Sequence, residues 1–225
     1  MFFSGNAADS RKSKEQKKER KAALKELRQG LLAAGADKAK TAEYVKELQE
    51  TLELRGTLKA DYEEARVHLK RARESIVRLS ACMSESPAEE VLKSLKELAA
   101  ELRGVCHDCL IREDDKDFVS TVAGIAQLSE QYGGGSSGMQ AIMLRSELEN
   151  AKAVMDDVAG WSAPDFFALA YYLRHEERET LKEMENEQRN QMISAYVKEH
   201  YLNAFLKECR KAGVETRVWE LIHRG

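Results

Sequence analysis

Proline is almost missing from this chain. Pro87 and Pro164 are the only two in 225 residues, so little in the backbone forces a helix to stop or kink. Valine, isoleucine, threonine and the aromatic residues, the last only 7% of the chain, never gather into alternating runs, which argues against strands. Cysteine is sparse as well. Cys82, Cys106, Cys109 and Cys209 have no spacing that reads as a disulfide framework, and a chain of this length does not need one. A reducing compartment, the cytoplasm, is the expected location. No apolar run approaches the roughly 18–20 residues that span a bilayer. Met1-Phe2-Phe3 is followed by Ser-Gly-Asn and not by a signal-peptide core. Residue 2 is not glycine, which excludes N-myristoylation. Net charge is −3, too small to commit the whole chain to a polyanion or a polycation.

Good helix formers fill the space that these absences leave. Charged residues are 33% of the chain and hydrophobic residues 43%, a mixture that suits long helices with solvated faces. The expected fold class is all-α: a long antiparallel, coiled-coil-like helical hairpin, then a second helical unit after a Gly/Ser linker. In chain order the expected parts are a basic, partly disordered N-terminal segment and helix (1–36), a hairpin with a capping helix (37–132), a flexible linker (133–138) and a C-terminal helical unit (139–225).

Residues 11–28 carry nine Lys or Arg against three Glu, a net of +6. Apolar residues begin late, at Leu24, Leu27 and Leu31, so only the second half of this helix is expected to dock. Gly35 reads as a stop and Asp37 as the next N-cap. From 38 to 83 one helix is expected. Val45, Leu48 and Leu52 open an apolar stripe, and Leu58, Tyr62, Ala65, Leu69, Ala72, Ile76, Leu79 and Met83 form a second with heptad spacing. The change of phase near Gly56 resembles a stutter or stammer. After the turn Ser84-Glu85-Ser86-Pro87, a matching stripe runs through Val91, Leu95, Leu98, Leu102, Val105 and Cys109, which predicts an antiparallel pairing. Phe118, Val122, Ile125 and Leu128 make a short helix to cap it.

Gly133 to Gly138 reads Gly-Gly-Gly-Ser-Ser-Gly and is followed by Met139. Glycine loses the most backbone freedom on folding, so a flexible linker is expected. It is either a natural loop or an engineered joint between two interacting proteins, 1–132 and 139–225, tethered to raise their effective concentration. Beyond it a helix carries Ile142, Leu144, Leu148, Ala151, Met155 and Val158 and ends at Gly160-Trp161. Ser162-Ala163-Pro164-Asp165 resembles a capping box, with Ser162 as N-cap and Asp165 at the N3 position. A long helix to about Ala212 follows. It is apolar at both ends, polar between Arg174 and Gln191, and closed by Gly213. Val218, Trp219, Leu221 and Ile222 form a short terminal helix.

No motif assembles a catalytic site, so no enzyme activity, cofactor or metal is expected. Cys106-His107-Asp108-Cys109 has ligand-like spacing but no second pair to complete four zinc ligands. It also lies late in a helix, where the dipole opposes a thiolate. His175-Glu176-Glu177-Arg178-Glu179 lacks the second histidine at i+4 of a zinc protease helix. Glu179, Glu183 and Glu187 interleave with Arg178, Lys182 and Arg189, which suits an ion-paired, solvated face. The Gly133–Gly138 run lacks the Gly-Lys-Ser/Thr ending that cradles phosphate.

The functional expectation is a non-enzymatic helical assembly or adaptor protein that acts through protein–protein contact, with helical partners, as an oligomer or heterocomplex. Candidate interaction residues are Val45, Leu48, Leu52, Phe166, Phe167, Tyr196, Tyr201, Phe205 and Trp219, because aromatic and bulky apolar side chains anchor interfaces; core packing competes for the same residues. The alternative is a peripheral membrane-binding or membrane-remodelling protein whose basic surface, Arg11, Lys12, Lys14, Lys17, Lys18, Arg20 and Lys21, meets anionic lipid through residues 1–31. In layout, an apolar tip, a basic first helix and a long hairpin over about 110 residues, the first half resembles ESCRT-III membrane-remodelling proteins. Nucleic acid is disfavoured, since no aromatic residue interleaves with the cations for stacking.

Overall fold

A computed structural model describes residues 5–82, 88–108, 120, 123–127, 138–160, 163–182, 184 and 186–223. Among these the protein is helical and carries no strand. Helix α1 spans Gly5–Ala33, α2 Lys38–Cys82, α3 Ala88–Asp108 and α4 Gly138–Gly160. Then come α5 (Phe166–His175), the single turn α6 (Glu179–Lys182), α7 (Asn186–Val197), a π-helical turn over Lys198–Leu202, α8 (Asn203–Lys211) and α9 (Glu215–His223). Residues 123–127 are also helical. No described helix is long and apolar enough to cross a membrane.

The ends of these helices follow from local chemistry. Gly35 adopts φ 83°, and the Ala36 amide donates to the Leu31 carbonyl at 3.1 Å. That is the left-handed C-terminal lock for which glycine carries no steric penalty. Two residues on, Asp37 Oδ1 accepts from the Lys40 amide at 2.8 Å and caps α2. Gly213, at φ 69°, closes α8 in the same way, with the Val214 amide donating to the Cys209 carbonyl at 2.9 Å. The start of α5 corrects the sequence reading. Asp165 itself is the N-cap, and its Oδ1 accepts from the amides of Phe167 and Ala168 at 3.0 and 3.1 Å. An aspartate can satisfy two orphan N–H groups at once, so it takes the cap from Ser162, which lies outside the described residues.

A second correction concerns the helix expected from Pro164 to Ala212. It is broken after His175. Glu176 is extended, at φ −129° and ψ 158°, and its amide donates back to the Tyr172 carbonyl at 2.8 Å. α6 and α7 are separate helices, with Met184 in a bend between them. The residues at the break are ordinary helix formers, so no local propensity announces it.

The contacts divide the chain into two compact units. One comprises Met1–Thr57, Pro164–Glu176 and Glu187–Gly225; the other comprises Leu58–Ala163 and Glu177–Asn186. Membership therefore does not follow chain order: residues on both sides of 133–138 contribute to each unit. In α2 it changes between Thr57 and Leu58, where the sequence stripe changes phase. Chain membership also switches at the Glu176–Glu177 break.

The first unit buries Leu24, Leu27 and Leu31 of α1, Leu48 and Leu52 of α2, and Phe167 through Tyr172 of α5. Ile193, Val197, Tyr201, Phe205, Val218 and Ile222 complete its core. Gly30 approaches Val214 so closely that an added Cβ would fall 2.8 Å from the valine Cγ1, which seats the start of α9 against α1. The second unit buries Ala65, Leu69, Ala72, Ile76 and Leu79 of α2, Leu95, Leu98 and Ala99 of α3, and Ile125, Leu148, Ala151 and Leu181. His68 Nδ1 and Glu101 Oε2 lie 2.8 Å apart between α2 and α3. Each fully buried leucine or isoleucine contributes about 1.5–3 kcal/mol by leaving water. The turn 84–87, the linker up to residue 137, and Phe118, Val122 and Leu128 of the expected capping helix lie outside the described residues.

Candidate functional site

Among the described residues, a connected group of polar and aromatic side chains lies in the first unit, where α5 and the π-helical turn meet the start of α2. It is built from the break upward. Because α5 ends at His175, its last turn offers Arg174 and His175 to the carboxylates of α2. The Arg174 guanidinium donates through Nη1 to the Glu47 carbonyl at 3.1 Å, to Glu47 Oε1, and to Thr51 Oγ1 at 2.9 Å; Nη2 donates to Glu50 Oε2. His175 Nε2 lies 2.8 Å from the same Glu47 Oε1. Arg174 and Glu47 side chains are each 19% exposed, so these charge-assisted bonds are partly shielded from water and stronger than surface pairs.

Aromatic rings continue inward from this polar edge. Tyr171 lies against His175 at 4.5 Å and stacks on Tyr201 at 5.3 Å between ring centres. Tyr201 in turn stacks on Phe205 at 5.1 Å, and Tyr44 of α2 packs against Phe205 at 5.2 Å. The Tyr201 hydroxyl donates to the Tyr44 carbonyl at 2.7 Å. Tyr196 meets Tyr172 edge to face at 5.1 Å, and its hydroxyl donates to Glu176 Oε1 at 2.8 Å. The π turn matters here. One extra residue in a helical turn rotates everything after it, and such bulges often accompany specialised packing. With it, Tyr201, Leu202 and Phe205 are all buried.

The protonation states follow from these surroundings. Burial, the Glu176 hydrogen bond and the nearby Glu176 charge push the Tyr196 phenol up to about 12. Burial raises Tyr201 well above the ordinary phenol range, and burial likewise raises Tyr171. Cys209 is a free, buried thiol. Burial and then the charges of Glu215 and Glu208 push it up to about 12, which holds it in its poorly nucleophilic neutral form.

Arg55 is a further polar element of the same unit. It is 7% exposed, and its Nη1 donates to the Ile222 carbonyl at 2.6 Å and more weakly to the Leu221 carbonyl at 3.4 Å. A cation at the negative end of α9 is favourable there. Desolvation, then repulsion from Arg20, lowers its pKa.

The residues singled out in the sequence divide as follows. Leu48, Leu52, Phe167, Tyr201 and Phe205 are core residues of the first unit, which removes them from any surface in this fold. Val45, Phe166 and Tyr196 are half-buried. Trp219 alone among them is 37% exposed, and it stacks on His223 at 5.7 Å. Of the basic candidates, Lys17, Lys18 and Lys21 are exposed, whereas Arg20 is half-buried and donates to the Leu52 carbonyl at 3.3 Å. Arg11, Lys12 and Lys14 belong to α1, but their side chains lie outside the described ones, as do those of Cys82, Cys106 and Cys109. Among the described residues no group of three or more His, Cys, Asp or Glu side chains is placed to hold a metal ion.

Sequence reasoning missed Arg174, Glu47, Glu50 and Arg55. For Arg55 a signal existed. The spacing of Val45, Leu48 and Leu52 carries on to position 55, so the arginine occupies the next place on the buried stripe. No protein-family model matches the chain, and neither does any curated protein or solved structure.

Proposed function

We propose that this protein is a non-enzymatic helical assembly protein, an adaptor that works in the cytoplasm by joining helical protein partners. The observation that carries the reading is the adjacent pair Ile142 and Met143 near the start of α4, 69% and 53% exposed. Two consecutive large apolar side chains held in water are a liability unless something covers them, and such patches mark interaction surfaces. Val67 and Val77 of α2, 48% and 55% exposed, belong to the same unit. In the first unit Arg174, Glu47, Glu50, Thr51 and His175 bond to one another, Tyr196 bonds to Glu176 and Tyr201 to the Tyr44 carbonyl, so this cluster ties distant segments of the fold together.

The scaffold that would present this surface is read as an antiparallel, coiled-coil-like hairpin of α2 and α3. Burial of Leu69, Ile76, Leu95 and Leu98 and the His68–Glu101 link support that pairing. Membrane binding through residues 1–31 has weaker support, because Leu24, Leu27 and Leu31 of α1 are already buried.

Photo-crosslinking tests the proposal. A photoreactive amino acid at position 142 and, separately, at position 143 is expected to give the same discrete protein adduct in cells. Position 70, an exposed lysine on α2, is expected to give none. No adduct at either position, or an equal adduct at position 70, would overturn the reading.

A further inference from the structure

From residue 18 onward helix α1 keeps its exposed charges on separate faces. Leu24, Leu27 and Leu31 are buried and Arg20 is tied to the Leu52 carbonyl, so one face is docked. Lys18, Lys21, Lys25 and Arg28 are all exposed. Their spacings of three, four and three residues set them in one row along the helix. In sequence the same alternation carries back to Lys14 and Arg11, both within α1. Glu19 and Glu26 keep to a row of their own, seven residues apart, with Glu15 three residues before Lys18 at the start of the ladder, and Glu26 pairs with Arg217 of α9. Among the described residues none of the four cations of the row meets a carboxylate.

This arrangement opposes the helix that carries it. Like charges three or four residues apart destabilise a helix by about 0.2–0.5 kcal/mol per pair, and the row contains such pairs at each step. A merely solvated helix would gain by interleaving its signs. Segregation instead creates a straight cationic ladder, about 15 Å long over the exposed rungs and about 26 Å if the sequence spacing is followed to Arg11. Its rungs are about 5 Å apart, and Lys17, also exposed, lies beside it four residues before Lys21. A bilayer would take up a broader apolar face than this row has, and a duplex phosphate backbone curves away from a straight rod. A second α-helix has the same rise and the same three-four repeat.

We infer that the ladder Lys18, Lys21, Lys25 and Arg28 binds an acidic α-helix of a partner protein, one carrying Asp or Glu at alternating three- and four-residue spacing. This rests on the assembly reading and names the chemistry of one partner. The test uses the full chain and a labelled alanine-based helical peptide of about 25 residues with glutamates in that spacing, beside a scrambled peptide of the same composition. Fluorescence anisotropy at low salt is expected to show the ordered peptide binding at least about tenfold tighter than the scrambled one, with the advantage shrinking as salt screens it. Replacing Lys18, Lys21 and Lys25 together with glutamine should remove about tenfold in affinity, and Lys21→Gln alone about threefold. The triple variant Lys38→Gln, Lys40→Gln, Lys207→Gln, which removes equal charge from exposed lysines elsewhere, should change affinity less than about twofold. Circular dichroism checks that the variants stay folded. Equal binding of the two peptides, equal loss in both triple variants, or displacement of the peptide by duplex DNA or by phosphatidylserine vesicles at matched charge would overturn the inference. Crosslinking at positions 142 and 143 is read on a different unit, so a failed ladder with intact crosslinks removes this partner and leaves the assembly reading standing.

Discussion

Arg174 joins two stretches of chain more than a hundred residues apart, and its geometry is specific to a guanidinium. Its fork reaches a backbone carbonyl, a hydroxyl and two carboxylates at once. Arg174→Ala should cost about 2 kcal/mol, because Glu47, with its side chain 19% exposed, would lose the guanidinium that satisfies it and the Thr51 hydroxyl would lose its donor. Arg174→Lys keeps the charge but not the fork and should recover only about half of that. Urea denaturation midpoints measure both. The alkaline limit is set at this scale too. Cys209 and Tyr196, held protonated up to about 12, bind their protons more tightly folded than unfolded. The stability they contribute is intact below their ordinary ranges and is lost as pH rises towards about 12. Urea midpoints measured across that range should fall with pH, and Tyr196→Phe should flatten the fall in the phenol region.

At the scale of elements, the periodic signals of the sequence were the readable ones. The stripe through Leu69, Ile76 and Leu79 is buried, and the punctuation by Gly35, Asp37 and Gly213 is where the helices end. Leu69→Asp together with Ile76→Asp should lower helix content and melting temperature sharply, since each places an unpaired charge in an apolar interior. Val77→Asp, on a 55% exposed residue of the same helix, should shift stability by less than about 0.5 kcal/mol. Retained helicity in the double variant would count against the stripe as core. What stayed illegible was non-local. Nothing near His175 announces a helix end, because Glu176, Glu177 and Arg178 are all compatible with helix. The Arg174–Glu47 and Tyr201–Tyr44 bonds span separations of 127 and 157 residues, far beyond any spacing rule. The aromatic residues of α5 and the π turn read mostly as core with a surplus for an interface, and Phe167, Tyr171, Tyr172, Tyr201 and Phe205 are buried while Phe166 is half-buried.

At the scale of the whole molecule, the first unit is assembled from segments that lie on both sides of residues 133–138. A protease site placed in that run and cut should therefore leave two pieces that co-elute in size exclusion with light scattering. Arg55 to Ile222, Tyr201 to Tyr44 and Arg174 to Glu47 all bridge the cut. Separation into two folded pieces would contradict the shared core.

The bond from Arg55 to Ile222 also sets a clock. Its partners are 167 residues apart, and a ribosome adds about 5–20 residues per second. The guanidinium of Arg55 and the leucines of α1 and α2 thus leave the ribosome roughly ten to thirty seconds before the backbone that will cover them exists. Throughout that interval Leu24, Leu48 and Leu52 have no completed core to enter, which makes the nascent N-terminal segment the part of this protein most in need of a chaperone.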